Sequence, residues 1–153
     1  MVEIRYKKLD ENAVEPYRRF DVDAGFDFTA IWKEENCKYV EFGTGIALEI
    51  PVGYVGFLFP RSSIRKQDLM LKNSVGVVDS SYRGEIKFSF FGTKSTKYTA
   101  GKLQQCVNEG DIYKVGERCG QIVFIKLPEV KLIEADELSD TERGTDGYGS
   151  SGK

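Results

Sequence analysis

Asp79 and Tyr82 share one short segment, Gly76 to Gly84, in a chain that contains 0 histidines. Without histidine there is no Ser-His-Asp or Cys-His nucleophile scheme, and the commonest metal ligand is missing. Proton chemistry then falls to a carboxylate, Tyr, Lys, Cys or water. A metal, if used, is expected to be a hard cation on oxygen ligands, Mg²⁺ first. Within the segment, Val77 and Val78 lead into Asp79, a tight turn follows, and Tyr82 and Gly84 open the return strand. One reading is a hairpin whose Asp caps the turn and whose Tyr packs on it. The other is a hairpin mouth that admits a planar group: main-chain donors and acceptors read its edge, Tyr82 lies against a sugar, and Asp79 holds a water or hydroxyl.

Three further segments carry polar chemistry. Arg61, Ser62 and Ser63 follow Pro60 at a strand-to-helix junction. Unpaired N–H groups at such a junction favour anions, and a guanidinium adds a fork of donors suited to phosphate. An N-capped helix with a surface Arg is the plainer alternative. Asp23 and Asp27 flank Gly25. They read as a turn, or Asp27 faces Mg²⁺ or its water shell. Gly116 to Gln121 turns into a buried strand, with Gln121 placed as a polar contact to ligand.

The ending from Gly147 to Lys153 fits G-x-x-x-x-G-K. A P-loop of that kind needs a preceding strand, a Ser or Thr after the Lys and a helix facing the phosphates. Nothing here supplies them, so the pattern is not read as a P-loop. It is either a solvated tail or a glycine-rich arm whose N–H groups approach phosphate closely. Arg143 and Tyr148 favour the arm.

The elements that must position these residues read mostly as period-two alternation. Strands are expected over residues 3–6, 27–32, 45–50, 54–59, 75–78, 85–91 and 121–127. The pairs 45–50 with 54–59 and 75–78 with 85–91 read as hairpins. Only residues 62–71 read as helical, with Ser62 or Ser63 as N-cap. The whole reads as an all-β, jelly-roll-like barrel or sandwich with one short helix. Residues 1–138 form the domain, with 92–116 as a polar excursion or extra hairpin. Residues 139–153 form a flexible C-terminal arm. Hydrophobic content of 41% supports a sizeable core, and no apolar run is long enough for a membrane span. Net charge of -2 does not favour a nucleic-acid duplex. The 3 cysteines, Cys37, Cys106 and Cys119, are odd in number and irregularly spaced, as expected of a reduced intracellular protein. Met1 to Tyr6 carries no recognisable secretory leader.

In this order, from Asp23 to Lys153, these segments resemble the homotrimeric dUTPase family. The resemblance implies a jelly-roll-like barrel, three subunits building each site, and hydrolysis of dUTP to dUMP and pyrophosphate. It implies that Asp27 positions Mg²⁺ through water and that Arg61, Ser62 and Ser63 hold phosphates. Asn73 would contact uracil, and Gly76, Val77 and Val78 would read base and sugar. Asp79 would bind the 3′-hydroxyl and orient the attacking water. Tyr82 would pack on the sugar face and exclude a 2′-hydroxyl, with Lys87 near the pocket floor. Gln121 would reach the phosphate chain, and Arg143 would pair with the γ-phosphate. Tyr148 would stack over uracil, with Gly149 and Ser150 beside it. Two positions depart from the family pattern: Tyr148 stands where Phe is usual, and Asp146 where Gly is frequent. A ring face survives the first change, and the Asp146 carboxylate is expected to point away from phosphate. The related dCTP deaminase group and a silent regulatory module that binds a protein through 92–116 are the competing readings. The complete glycine-rich tail argues against the former, and retention of Asp27, Arg61, Asp79 and Arg143 against the latter.

Overall fold

A computed structural model describes residues 1–35, 39–92, 96–99, 102–105 and 112–147. The strands are β1 (Arg5–Lys8), β2 (Gly25–Thr29), β3 (Trp32–Glu35), β4 (Val40–Glu49), β5 (Tyr54–Phe59), β6 (Leu69–Leu71), β7 (Gly76–Val78), β8 (Glu85–Gly92), β9 (Thr96–Thr99), β10 (Lys102–Gln105) and β11 (Arg118–Lys126). One sheet runs β1-β4-β8-β6, with β3 also on β4; the other runs β2-β11-β5-β7. The β9 and β10 strands form a separate antiparallel hairpin. No ladder joins the two main sheets among the described residues, so the architecture is an open-edged jelly-roll-like sandwich rather than a closed barrel.

Alternation along the strands sets the core. On β8, Ile86, Phe88 and Phe90 point inward and are at most 1% exposed, while Lys87 and Ser89 take the other face. Phe28, Leu58, Val78 and Ile122 from the second sheet close on Phe42, Ile46, Phe88 and Phe90 from the first. The Phe28 and Phe88 rings meet across the sheets at 6.2 Å. Fully burying each such ring contributes about 1.5–3 kcal/mol. Gly120 is fitted to this packing, because a Cβ there would overlap the Phe88 ring. The buried Thr44 has a satisfied hydroxyl, which donates to Ile86 O at 2.8 Å. It sits at the irregularity in the β4–β8 register, where Gly45 takes φ +65.

Two expected hairpins are not hairpins. The turn after β4 forms, with Tyr54 N donating to Pro51 O at 3.1 Å, but β4 and β5 enter opposite sheets. Likewise β7 pairs with β5 and β8 with β4. Both strands of each expected pair carry an inward apolar face, and crossing the sandwich buries both faces as well as pairing would.

The expected helix over 62–71 is also corrected. A single 3₁₀ turn spans Ser62–Lys66, and its N-terminal flank is Arg61, with no side-chain cap from Ser62 or Ser63. Leu69–Leu71 is strand, paired with β8. Leu69 and Leu71 are buried and Met70 is exposed, a period-two pattern that cross-strand pairing rewards over helical spacing.

Candidate functional site

Two clusters emerge, each assembled by ladder register. The first lies where β2, β11 and β5 run side by side. Gln121 on β11 stands opposite Asp27 on β2 and Phe59 on β5. Asp27 is held by main-chain bonds to Tyr17 at 2.7 and 2.9 Å. Its carboxylate takes Arg118 Nη1 at 3.0 Å on one oxygen and faces Arg61 Nε at 2.8 Å with the other. The Arg61 Nε–H lies off the hydrogen-bonding direction, so this buried donor is unsatisfied; the contact is Coulombic. Arg118 also lies over the Tyr17 ring, 5.0 Å from its centroid. Gln121 donates to Pro60 O at 2.9 Å and so braces the chain just before Arg61. Ser63 shares a 3.1 Å hydrogen bond with the Tyr113 hydroxyl, while Ser62 is exposed. Burial, eased by Ser63 and Arg61, holds the Tyr113 hydroxyl above its ordinary pKa.

The second cluster is a cleft of about 310 Å³ where β7 and β8 diverge into opposite sheets. Asn73, Gly76, Val77, Val78, Tyr82 and Lys87 line it together with Glu41, Leu58, Glu85 and Ile86. Ser74, in the left-handed region at φ 59, turns the chain between Asn73 and β7. Gly76 admits Asn73: a Cβ there would lie 3.2 Å from Asn73 Nδ2. The Tyr82 hydroxyl donates to Glu85 O at 3.1 Å, and Gly84 leaves room for the ring. Arg83 Nη1 ties the intervening turn by donating to Ser80 O at 2.6 Å and Tyr82 O at 2.9 Å. Asp79 stands exposed at the end of β7.

Lys87 donates to Glu41 Oε1 at 3.1 Å, and Ser89 donates to Glu41 Oε2 at 2.7 Å. Burial pushes the Glu41 carboxyl up, but Ser89 and Lys87 outweigh it and hold the pKa below the usual carboxylate range. The hydrogen bond to Glu41 raises the Lys87 ammonium above its ordinary value.

The structure thus gathers Asp27, Arg61 and Gln121 in one place, with Ser62 and Ser63 on the adjoining turn, and Asn73, Gly76, Val77, Val78, Tyr82 and Lys87 in another. None of Arg61, Ser62, Ser63, Gln121 or Arg143 lines the cleft. Arg143 is exposed and donates from Nε to Asp146 O at 3.1 Å. Tyr148, Gly149 and Ser150 lie outside the described residues, as do Cys37 and Cys106. Sequence reasoning missed Arg118 and Glu41. Only the β2–β11 and β4–β8 registers bring them to their partners, and neither residue carries a local signal.

The family model described as dUTPase matches residues 11–152. A deoxyuridine 5′-triphosphate nucleotidohydrolase of Nautilia profundicola is 36% identical, over 99% of this chain and 100% of the relative. Its counterpart in Tropheryma whipplei is 37% identical, over 90% of this chain and 88% of the relative. Among solved structures, the Staphylococcus bacteriophage 80alpha dUTPase with dUpNHpp superposes with a TM-score of 0.82 at 27% identity, covering 100% of both chains. Two open sheets, the cleft where β7 and β8 part, and near-full-length similarity lead to one conclusion: the chain belongs to the dUTPase family.

Proposed function

We propose that the protein hydrolyses dUTP to dUMP and pyrophosphate, with the nucleoside in the cleft between β7 and β8. The observation that carries this reading is the composition of that cleft: an amide side chain, a run of main chain at Gly76–Val78, an aromatic ring and an ammonium; Asp79 does not line it and follows Val78 in the chain. Asn73 and the main chain of β7 suit the donor and acceptor edge of a pyrimidine. Tyr82, held at its hydroxyl, suits a sugar face without a 2′-hydroxyl. The exposed Asp79 carboxylate accepts a hydrogen bond from water and takes its proton as that water attacks the α-phosphorus. The bond to the bridging oxygen breaks, and pyrophosphate leaves with the electron pair. Phosphoryl chemistry of this kind needs positioning and charge neutralisation more than a covalent nucleophile.

The phosphate donors are expected from a second copy of the chain. The Asp27–Arg61–Arg118–Gln121 cluster holds two guanidinium groups suited to phosphate, yet Arg61 and Gln121 do not line the cleft of their own chain. A homotrimer sharing its sites would bring one chain's cluster to another chain's cleft. The arm, with Arg143 on the γ-phosphate and Tyr148, Gly149 and Ser150 over the base, would close it and exclude bulk water.

Mg²⁺ fits in one form. Among the described residues no group of three acidic or thiol side chains converges, so these residues offer no cage of carboxylates. Asp27, one guanidinium at each oxygen, keeps lone pairs for water, which suits an ion chelated by the triphosphate and touched through its hydration shell. Such an ion would draw negative charge off the phosphate chain.

Asp79→Asn tests the reading. Steady-state pyrophosphate release from dUTP should fall about 10²- to 10⁴-fold, with dUpNHpp binding by calorimetry little changed. Near-normal release would remove Asp79 from the chemistry. Assaying dUTP and dCTP side by side, for pyrophosphate and for ammonia, separates this activity from deamination.

A further inference from the structure

We propose that Glu41 is a positioning residue, which holds the Lys87 ammonium in the nucleoside cleft and thereby sets affinity for the deoxyuridine nucleotide. This rests on the reading of the cleft given above.

Both side chains line the cleft. Glu41 stands opposite Ser89 in the β4–β8 register, and Gly43 stands opposite Lys87. Lys87 and Ser89 therefore share a face of β8 and reach the two oxygens of one carboxylate, at 3.1 and 2.7 Å. Ser89 fixes the carboxylate, and the carboxylate fixes the ammonium. The Trp32 ring completes the seat, with Lys87 Nζ 5.4 Å from its centroid. Gly43 makes this possible, because a Cβ there would overlap the indole. The indole is itself pinned, donating from Nε1 to Glu85 Oε1 at 3.0 Å. An ammonium has three donors. Glu41 engages one and leaves the others for an acceptor such as a pyrimidine carbonyl.

A partly exposed ion pair contributes little to stability: here the side chains are 41% and 22% exposed. Its consequence is preorganisation. Lysine is a point charge on a flexible stem, and an unpaired Lys87 would have to be ordered each time a nucleotide bound.

The test is a double-mutant cycle on the full chain, read as KM and kcat for dUTP with thermal unfolding alongside. Glu41→Gln should raise KM about five- to ten-fold while kcat and the unfolding midpoint stay close to wild type. Lys87→Met should raise KM similarly, and the double variant should add nothing further. Ser89→Ala, which loosens Glu41 without touching Lys87, should move KM in the same direction by less, and provides a second route if Glu41→Gln folds poorly. Additive KM effects, or a wild-type KM in both Glu41→Gln and Ser89→Ala, would overturn the proposal. A wild-type protein that neither binds dUpNHpp nor hydrolyses dUTP would instead overturn the reading of the cleft itself.

Discussion

Tyr82 owes its place to a side chain that is not there. Its hydroxyl reaches Glu85 O only because Gly84 has no side chain; a Cβ there would overlap the phenol. Ala at 84 must push the ring aside, and the half-exposed Tyr82 can yield by swinging its outer end. Gly84→Ala should therefore leave stability in urea close to wild type. It should also narrow the ratio of kcat/KM for dUTP to that for UTP, since a displaced ring no longer crowds the 2′ position. An unchanged ratio would show that Gly84 does not set the sugar contact. The same residue-scale logic governs what the sequence disclosed. Asp27, Arg61 and Gln121 could be named from their local surroundings, as acid beside glycine, Arg at a junction and Gln opening a strand. Arg118 and Glu41 could not, because each matters through a partner across a ladder. The buried Cys119 is the opposite case. Burial pushes its thiol up to about 12, so this conspicuous nucleophile is inert at neutral pH.

At the scale of elements, strands such as 54–59 and 85–91 were legible, while the expected strand 27–32 straddles the break between β2 and β3 and the start of β4 carried no signal; the partners were not legible. Alternation tells which residues face inward and is silent about which strand lies alongside. Both expected hairpins failed for that reason, and the cleft exists because the second one failed. If β7 and β8 had paired, the space lined by Asn73, Tyr82 and Lys87 would have been filled by a ladder. The segment 62–71 misled in a related way: a few polar residues before Leu69, Met70 and Leu71 imitate a helix face until cross-strand pairing decides. The arm belongs to this scale too. Arg143 bonds to Asp146 O, and Gly144 N donates to Thr141 Oγ1 at 3.0 Å, so these contacts stay within the segment. Deleting 143–153 should leave circular dichroism and the unfolding midpoint near wild type while dUTP turnover falls by an order of magnitude or more, about the effect of losing water exclusion and a phosphate clamp together. Full turnover would make the arm a solvated tail.

At the scale of the molecule, apolar surface is left over. Val130, Leu132, Ile133 and Leu138 are 73 to 94% exposed along the segment after β11. A groove of about 670 Å³ lies among Ile4, Phe26, Phe28, Tyr54 and Phe124. Exposed apolar surface of this kind is suited to association, and under the proposed shared site the Arg61 cluster of one chain serves the cleft of another. Sedimentation equilibrium should give the mass of three chains, and dilution into monomer should abolish turnover. A fully active monomer would contradict shared sites.

The exchange of strands between sheets also bears on synthesis. Asp27 near the start of the chain meets Gln121 near its end, and β4 waits for β8. Among the described residues only β3–β4 and β9–β10 pair as neighbours in sequence; the ladders that close the two main sheets otherwise wait on distant strands, so loop closure precedes most of the reward, and such folds form slowly. A nascent chain would leave the ribosome with β2 and β5 both lacking the strand that lies between them until β11 emerges. Its unpaired edges during that interval are a hazard for aggregation, and a product that stopped before β11 would lack the register that sets Gln121 opposite Asp27.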